Sequence, residues 1–416
     1  MRVVIASSSD NRYGAAAAAF RLHNALISLH VDSTLLVNER TRSLSSIIEP
    51  QNAVEKFWVR AAPRLGRTIM KLLGNAKEYQ SINFFPSSTV KRIHAAKPDL
   101  VNLHWVNNEM LRIETIANIR QPLVWTLHDM WAFCGAEHYG LDERRWREGY
   151  LPTNRPANEP RLDINRWTWQ RKHAAWQRHA SKWTIVSPSR WLARCVQESA
   201  LLREANVAVI PNGIDTQVYR PIDQFVARDL LRLPQDRKLI LFGAVSATKD
   251  PRKGFSLLEQ ALKHLSSSSA ARETDLVIFG ADGPENAMFE GFKARFLGRL
   301  NDDLALILAY SAADVFVAPS IQDNLPNTVM ESLACGTPVV AFNIGGMPDM
   351  IEHQTNGYLA RPFEAEELAH GLNWILRHAE PKTLRTQARL KVEENFTLRH
   401  QAENYLNLFT QVLSRS

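Results

Sequence analysis

The chain has 416 residues, 45% of them hydrophobic and 22% charged, with a net charge of +7 at pH 7. That length leaves room for two domains with sizeable cores, and the composition excludes disordered, collagen-like and disulfide-scaffold chains. The positive balance favours anionic ligands or surfaces: nucleotides, nucleic acid or anionic lipid.

Cys134, Cys195 and Cys335 lie far apart, which argues against a zinc site or disulfide framework and fits a reducing compartment. The apolar run at residues 3–6 is too short for a signal-peptide core. Nothing approaches the roughly 18 apolar residues of a spanning helix. The expected location is the cytoplasm, with peripheral attachment to the inner face of the cytoplasmic membrane left open.

In chain order, residues 3–6 read as a buried strand. A polar loop follows, then Gly14 and an alanine run that opens a helix with Phe20, Leu22, Leu26 and Leu29. Strand, small-residue loop and helix begin a doubly wound unit, though G-x-G-x-x-G is absent from the chain. Residues 34–37 are a second strand. Residues 55–77 then carry Lys56, Arg60, Arg64, Arg67, Lys71 and Lys77 against Glu55, interleaved with Phe57, Trp58, Leu65, Ile69, Met70, Leu72 and Leu73. This is the composition of a membrane-surface element. The alternative is a basic helix packed on its own domain, and Pro63 and Gly66 are expected to interrupt it.

Strands at residues 100–103 and 123–127 run into His104-Trp105 and His128-Asp129. Ligands of open α/β sheets bind beyond the carboxyl ends of strands, so these histidines are well placed. Asp129, Glu137 and His138 lie near His128 in sequence. The Trp-, Arg- and His-rich stretch to Trp176 reads as an acceptor-binding insertion or as a surface excursion held by stacked aromatics. Strands at 184–187 and 207–210 precede a sharp turn at residues 211–215, where the domain boundary is placed. The expected domains are 1–211 and 216–395, with a terminal helix at 396–416 packing back on the first.

In the second half, strands are expected at 239–242, 276–279, 295–297, 315–317 and 339–342, with helices between them and helices alone from Ala365 onward. Alternating order in both halves makes this an α/β chain of two parallel-sheet domains. Lys249, Arg252 and Lys253 cluster before Gly254 at a strand's end, where cations neutralise a diphosphate. Gly280 ends another strand in the same way. Residues 314–347 read as strand, loop, helix, strand and glycine turn. Asp323 falls in the loop, Pro326 in the first helical turn and Glu331 in the helix, which closes at Cys335-Gly336. Carboxylates accept from paired sugar hydroxyls, and the helix N-terminus offers N–H groups to an anion. The bland alternative makes Asp323 a cap and places Glu331 on a solvated face.

The ordered set Lys253-Gly254, Phe279-Gly280, Ala313-Asp314, Pro319-Ser320, Asp323-x7-Glu331, the run from Ala334 to Val340 and Gly345-Gly346 resembles retaining glycosyltransferase family 4. The turn from Asn212 to Asp215 matches that family's interdomain turn. The segment from Trp125 to Trp131, with Glu137-His138-Tyr139, resembles a branch of bacterial surface-polysaccharide enzymes. The resemblance covers nearly the whole chain. It implies the GT-B fold, two Rossmann-like domains facing a central cleft. It also implies transfer of a sugar from a UDP- or GDP-sugar to a glycan or lipid-linked glycan acceptor, with retention of configuration. Glu331 would hold the ribose and Lys253 the diphosphate. Asp323 would hold the sugar hydroxyls, helped by N–H groups from Asn324, Leu325, Asn327 and Thr328. His128 would sit at the sugar end, and the Gly14 region would face donor or acceptor.

The chain departs from the family where Asp323 replaces a usual Glu, where Pro326 replaces glycine, and where Gly243-Ala244 replaces Gly-Arg. Lys249 or Arg252 stands in for that arginine. No cofactor or metal is expected, since no Asp-x-Asp occurs, and no nucleic-acid partner is expected. Two rival functions remain: a non-catalytic nucleotide- or polyanion-binding protein, and a nicotinamide-dependent oxidoreductase, which the missing glycine fingerprint disfavours.

Overall fold

Runs of aliphatic and β-branched residues supply the strands. In the computed structural model these are β1 Arg2–Ala6, β2 Asp32–Leu36, β3 Ile47–Ile48, β4 Leu100–Leu103, β5 Leu123–Thr126, β6 Thr184–Ser187 and β7 Asn206–Val209, followed by β8 Lys238–Gly243, β9 Thr274–Phe279, β10 Met288–Phe289, β11 Phe292–Gly298, β12 Val315–Ala318, β13 Val339–Phe342 and β14 Gly357–Ala360. The structure describes residues 1–11, 14–72, 80–140, 143–157, 159–160, 162–243, 250–284, 287–378 and 380–415. The chain divides into two units, Met1–Gly213 with Arg399–Ser416, and Ile214–Leu398.

The first unit is built on a sheet of order β3-β2-β1-β4-β5-β6-β7, parallel throughout. β4, β5 and β6 are buried along their whole length, as strands covered on both faces must be. The order reverses between β1 and β4, so the switch point lies beyond Ala6 and Leu103. Five tryptophans of this half, Trp125, Trp131, Trp146, Trp176 and Trp183, are core, whereas Trp167 is 38% exposed. Trp125, Trp131, Trp176 and Trp183 pack with ring centroids 5.5–6.4 Å apart, and Trp146 is 1% exposed. For Trp131, Trp146 and Trp176 the reading as a surface excursion is corrected. Lys172 lies buried in the same core. Its Nζ donates to the carbonyls of Trp131, Cys134 and Gly135 and sits 3.7 Å from the Trp131 ring centroid.

The second unit has the order β10-β11-β9-β8-β12-β13-β14, parallel except for the β10–β11 pair. Its switch point lies between β8 and β12. Core clusters sit on each face, with Leu241, Phe316 and Ala341 on one and Ile240, Val315 and Val340 on the other. Helix Leu398–Ser414 returns to the first unit. Its buried residues Gln401, Ala402, Tyr405 and Phe409 fall on one face at helical spacing, and the Tyr405 hydroxyl is 2.9 Å from Thr126 Oγ1.

Three expectations of local structure are corrected. Helix Ala53–Leu72 runs unbroken through Pro63 and Gly66. Gly66 is buried, and a Cβ there would lie 3.2 Å from Glu109 Oε1, so the glycine marks close packing rather than a break. Pro326 is the cap preceding helix Asn327–Ala334, with extended φ −67 and ψ 124, rather than a residue of its first turn. The strand β14 was not expected; residues 357–360 mix glycine with only three apolar positions.

Candidate functional site

In the second unit, two backbone segments are stitched together at the switch point. The short helical turn Pro251–Lys253 follows β8. Gly254 comes next, at φ +70, and a Cβ on it would fall 1.8 Å from the Pro319 carbonyl oxygen. Only glycine tolerates both the left-handed backbone and that approach. The Ile321 N–H donates to the Arg252 carbonyl at 2.9 Å. The loop after β12 is thereby held against the loop after β8. On its other side, Gly345 has φ +54 and its Cβ would lie 2.0 Å from the Asp323 carbonyl oxygen, while the Gly346 N–H donates to that oxygen at 3.2 Å.

This clamping brings Lys253 and Asp323 together across 70 positions of sequence, with Nζ 2.7 Å from Oδ2. The lysine side chain is 23% exposed and the aspartate 10%. The sequence placed one residue on a diphosphate and the other on a sugar; the structure joins them as an ion pair. Arg252 is otherwise engaged. Its guanidinium donates to Asp250 Oδ2 at 2.8 Å, and the same carboxylate accepts the Arg252 N–H at 3.0 Å. Lys249 lies outside the described residues.

Helix Asn327–Ala334 starts four residues beyond Asp323. The N–H groups of its first turn have no acceptor within the helix, so those of Asn327 and Thr328 are presented at its start. Asn324 and Leu325 are buried, at 3% and 5% exposure. Leu325 belongs to the core cluster, so only its main chain is available to a ligand. Glu331 is 7% exposed and accepts the Tyr310 hydroxyl at 3.2 Å. A solvated position for Glu331 is therefore excluded. Burial, and then the Glu331 charge, push the Tyr310 phenol well above its usual range, so it stays a donor. Gly280 follows β9 at φ +78 and donates its N–H to the Gly298 carbonyl at 2.8 Å.

The first unit carries the second group of residues. Gly14 opens helix Gly14–Ser28 at φ +51, with nothing within 4 Å of a Cβ built on it. His104 and His128 follow β4 and β5. Their rings stack 5.1 Å apart, with His104 Nδ1 2.9 Å from His128 Nε2. His104 Nε2 is 2.9 Å from Asn102 Oδ1. Burial lowers the His128 pKa to about 4, partly offset by Asp129. A small cavity is lined by His128, His104, Trp105, Asn107 and Asp129.

The neighbours expected around His128 form separate pairs. Asp129 Oδ2 accepts from His138 Nδ1 at 2.6 Å and from Trp105 Nε1 at 2.9 Å. His138 Nε2 reaches Ser81 Oγ at 2.9 Å, and Glu137 accepts the Tyr150 hydroxyl. Burial works to raise the Asp129 pKa, but His138 and the hydrogen bonds outweigh it and hold the carboxyl below its usual range. Sequence reasoning missed Asn102, Tyr310 and the pairing of His104 with His128. The adjacent parallel strands ending in His-Trp and His-Asp were the available signal for that pairing. A wider cavity of about 760 Å³, lined among others by His94, Arg120, His179 and Lys182, opens around the start of β5, away from all of these residues.

Two family models match the chain. Residues 13–218 match glycosyltransferase family 4, and residues 237–378 match glycosyl transferases group 1. A D-inositol 3-phosphate glycosyltransferase from Saccharomonospora viridis is 25% identical over 224 residues, 50% of this chain and 51% of that protein. The chain spans about half the length of the curated relatives it matches. Among solved structures, a sucrose-phosphate synthase from Thermosynechococcus elongatus superposes with a TM-score of 0.70 at 17% identity, covering 100% of both chains. Anabaena HepE in complex with UDP and glucose gives 0.63 at 16%, covering 99% of both. These two likenesses concern the fold.

Proposed function

The chain belongs to glycosyltransferase family 4, and from that premise we propose that it is a retaining enzyme. It moves a sugar from a nucleotide-diphosphate sugar to a glycan or lipid-linked glycan acceptor in bacterial surface polysaccharide assembly. The observation that carries this reading is the second unit's switch point: a cation, a partly buried carboxylate, helix N–H groups with no acceptor inside the helix and a second buried carboxylate follow one another along one strand end. In this assignment Glu331 accepts the ribose hydroxyls. Lys253 and the N–H groups of Asn327 and Thr328 meet the diphosphate, and Asp323 accepts hydroxyls of the transferred sugar. Gly14, with nothing within 4 Å of a Cβ built on it, leaves room for a close approach, and Gly280 is assigned to the donor side. Arg252, a candidate for the family arginine, has its guanidinium held by Asp250.

In the reaction, the bond between the sugar C1 and the diphosphate oxygen breaks, and a bond from C1 to the acceptor oxygen forms on the same face. The acceptor proton passes to the departing diphosphate. Positive charge placed in advance where negative charge develops lowers the barrier, and Lys253 supplies it. The reading assigns no cofactor or metal to the step. His128 is assigned to the sugar end of the reaction.

The acceptor is proposed to be reached at an anionic membrane surface. Helix Ala53–Leu72 shows two parallel outer stripes. Val54, Phe57, Leu65 and Leu72 are 44–81% exposed and fall on one line at helical spacing. Lys56, Arg60, Arg64, Arg67 and Lys71 are exposed on an adjacent line. Apolar groups for the interface beside cations for lipid phosphates suit a helix lying in the headgroup plane. Among the described residues no helix is long and apolar enough to cross a membrane. Vesicles containing phosphatidylglycerol should bind the protein, and salt should release it. Equal binding to neutral vesicles, or none at low salt, removes this part.

The test of the whole reading is turnover with UDP-, GDP- and ADP-sugars, against lipid-linked glycans and inositol 3-phosphate as acceptors, with the product anomer read by NMR. An inverted product refutes retention. Transfer to inositol 3-phosphate alone replaces the acceptor class.

A further inference from the structure

The cavity of about 760 Å³ around the start of β5 lies within the roughly 300–1,000 Å³ of small-molecule sites. β5 and β6 pair in parallel from Val124 and Thr184 onward, so the loops leading into them run side by side. The cavity therefore sits at the amino ends of these strands, whereas His104 and His128 follow the carboxyl ends of β4 and β5. Its floor is the core of the first unit. Leu123 and Trp183 are 4% and 5% exposed and belong to the main cluster. The Trp183 ring meets Trp125 and Trp176 edge-on, with centroids 5.9 and 5.7 Å away, so the floor is preformed.

The rim is cationic. His94 comes from the last turn of helix Thr89–Ala95, and Arg120 from the loop before β5. His179 follows helix Ile164–Trp176, and Lys182 closes the turn Ala180–Lys182 before β6. Among the described residues no aspartate or glutamate lines the cavity, and neither Arg120 nor Lys182 is held in an ion pair. Cations placed after helices also complement the carbonyls at the helix ends. That accounts for about half a charge per helix, and the helix before Arg120, Ile113–Ile116, has only four residues. Positive charge is left over for a ligand. The wall has unmet hydrogen-bonding capacity as well. Among the described residues His94 Nε2 and Gln121 Oε1 are buried without a partner, a condition that costs free energy and that a polar ligand relieves once the ring and the amide turn toward it.

We propose that this cavity is a second ligand site, separate from the strand ends of the proposed reaction, and that it takes a soluble phosphate ester. The phosphate meets Arg120 and Lys182, and the apolar body of the ester lies on Leu123 and Trp183. Two full cations with two imidazoles beside them suit a phosphate dianion better than a single carboxylate, and a guanidinium grips phosphate oxygens in pairs. The proposal does not rest on the donor-site reading, which concerns residues of the second unit.

The test is calorimetric titration of the intact chain with 1-naphthyl phosphate, for the wild type and for the double variant Arg120→Gln/Lys182→Gln. Both side chains are exposed, so the variant should fold. Its affinity should fall roughly 100-fold, about tenfold for each charged hydrogen bond lost. Uptake of the ester elsewhere is common to both proteins, so the difference reads this cavity alone, and Lys253→Ala should leave it unchanged. 1-Naphthol and inorganic phosphate, each offering half of the ligand, should bind more weakly than the ester by tenfold or more. Equal affinity of wild type and double variant, or no uptake by the wild type, overturns the site. 1-Naphthoate binding as tightly as the ester overturns the assignment to phosphate. Vesicles of phosphatidic acid should bind both proteins alike. Vesicle binding that falls in the double variant, with no matching loss for the ester, gives the phosphate to a lipid headgroup and overturns the soluble ligand.

Discussion

Replacing Glu331 with glutamine separates the binding role of this carboxylate from its place in the fold. Glu331 is 7% exposed and accepts the hydroxyl of Tyr310 at 3.2 Å. Glutamine keeps the volume and keeps an oxygen for that hydroxyl, so the stability cost should be about 1 kcal/mol or less. Alanine would leave the Tyr310 hydroxyl buried without its acceptor, at a cost of about 1–3 kcal/mol, and would confound the two roles. Toward a ligand, a carboxylate receives two ribose hydroxyls in charge-assisted bonds worth about 1.5–3 kcal/mol each, against about 0.5–1.5 for neutral ones. The summed loss is about 2–3 kcal/mol, or about 30- to 150-fold in Kd. Calorimetric titration with the nucleoside diphosphate reads it directly. The 2′,3′-dideoxy nucleotide should bind wild type and variant alike. A Glu331→Gln protein that binds the ribonucleotide within twofold of wild type refutes the assignment of Glu331 to the ribose.

Asp323→Asn removes the partner of Lys253 at 2.7 Å; nucleoside diphosphate alone should bind as well or better, while turnover of the sugar nucleotide falls by tenfold or more, and a parallel loss of both contradicts the ion-pair reading. Gly254→Ala forces a side chain onto φ +70 with its Cβ 1.8 Å from a carbonyl oxygen, so urea unfolding should show a loss of about 2 kcal/mol or more; an unchanged midpoint denies the close approach. His23 is fully buried with its nitrogens on Ser33 and Ser46, and burial lowers its pKa to about 4. The unfolded chain takes up that proton near pH 6.5, so the contribution is complete above pH 6.5 and is lost as pH falls toward 4, by at most about 3 kcal/mol. The melting temperature of His23→Gln should fall less steeply over that window than that of the wild type; identical acid limbs contradict it.

Much of the fold was legible because buried parallel strands read as short apolar runs. β6 and β13 fall at residues 184–187 and 339–342 as expected. β14 was not legible, since a four-residue run opened by Gly357 carries little strand signal without the neighbour β13 that pairs with it. Pro63 misled because a proline's cost in a helix is local, whereas Ala62, Gly66 and Met70 give the helix a buried face across it. In the candidate site, Asp323 and Glu331 stood out by spacing and Lys253 by its place after a strand. Their relation did not. The Lys253–Asp323 pair depends on Gly254 touching Pro319, a contact between segments more than 60 positions apart. The pairing of His128 with His104 was not legible because sequence nearness points to Asp129 and His138, while parallel register places His104 on the neighbouring strand end.

The central claim is that the second unit holds a nucleoside diphosphate through Lys253 and Glu331. Thermal unfolding of the wild type and of Lys253→Ala with UDP, GDP and ADP, all at one concentration near 100 times the Kd of the tightest of them for the wild type, tests it most directly. One nucleotide should stabilise the wild type by about 2.7 kcal/mol and leave Lys253→Ala nearly unshifted at the same concentration. No stabilisation by any of the three, or equal stabilisation of both proteins, contradicts the claim.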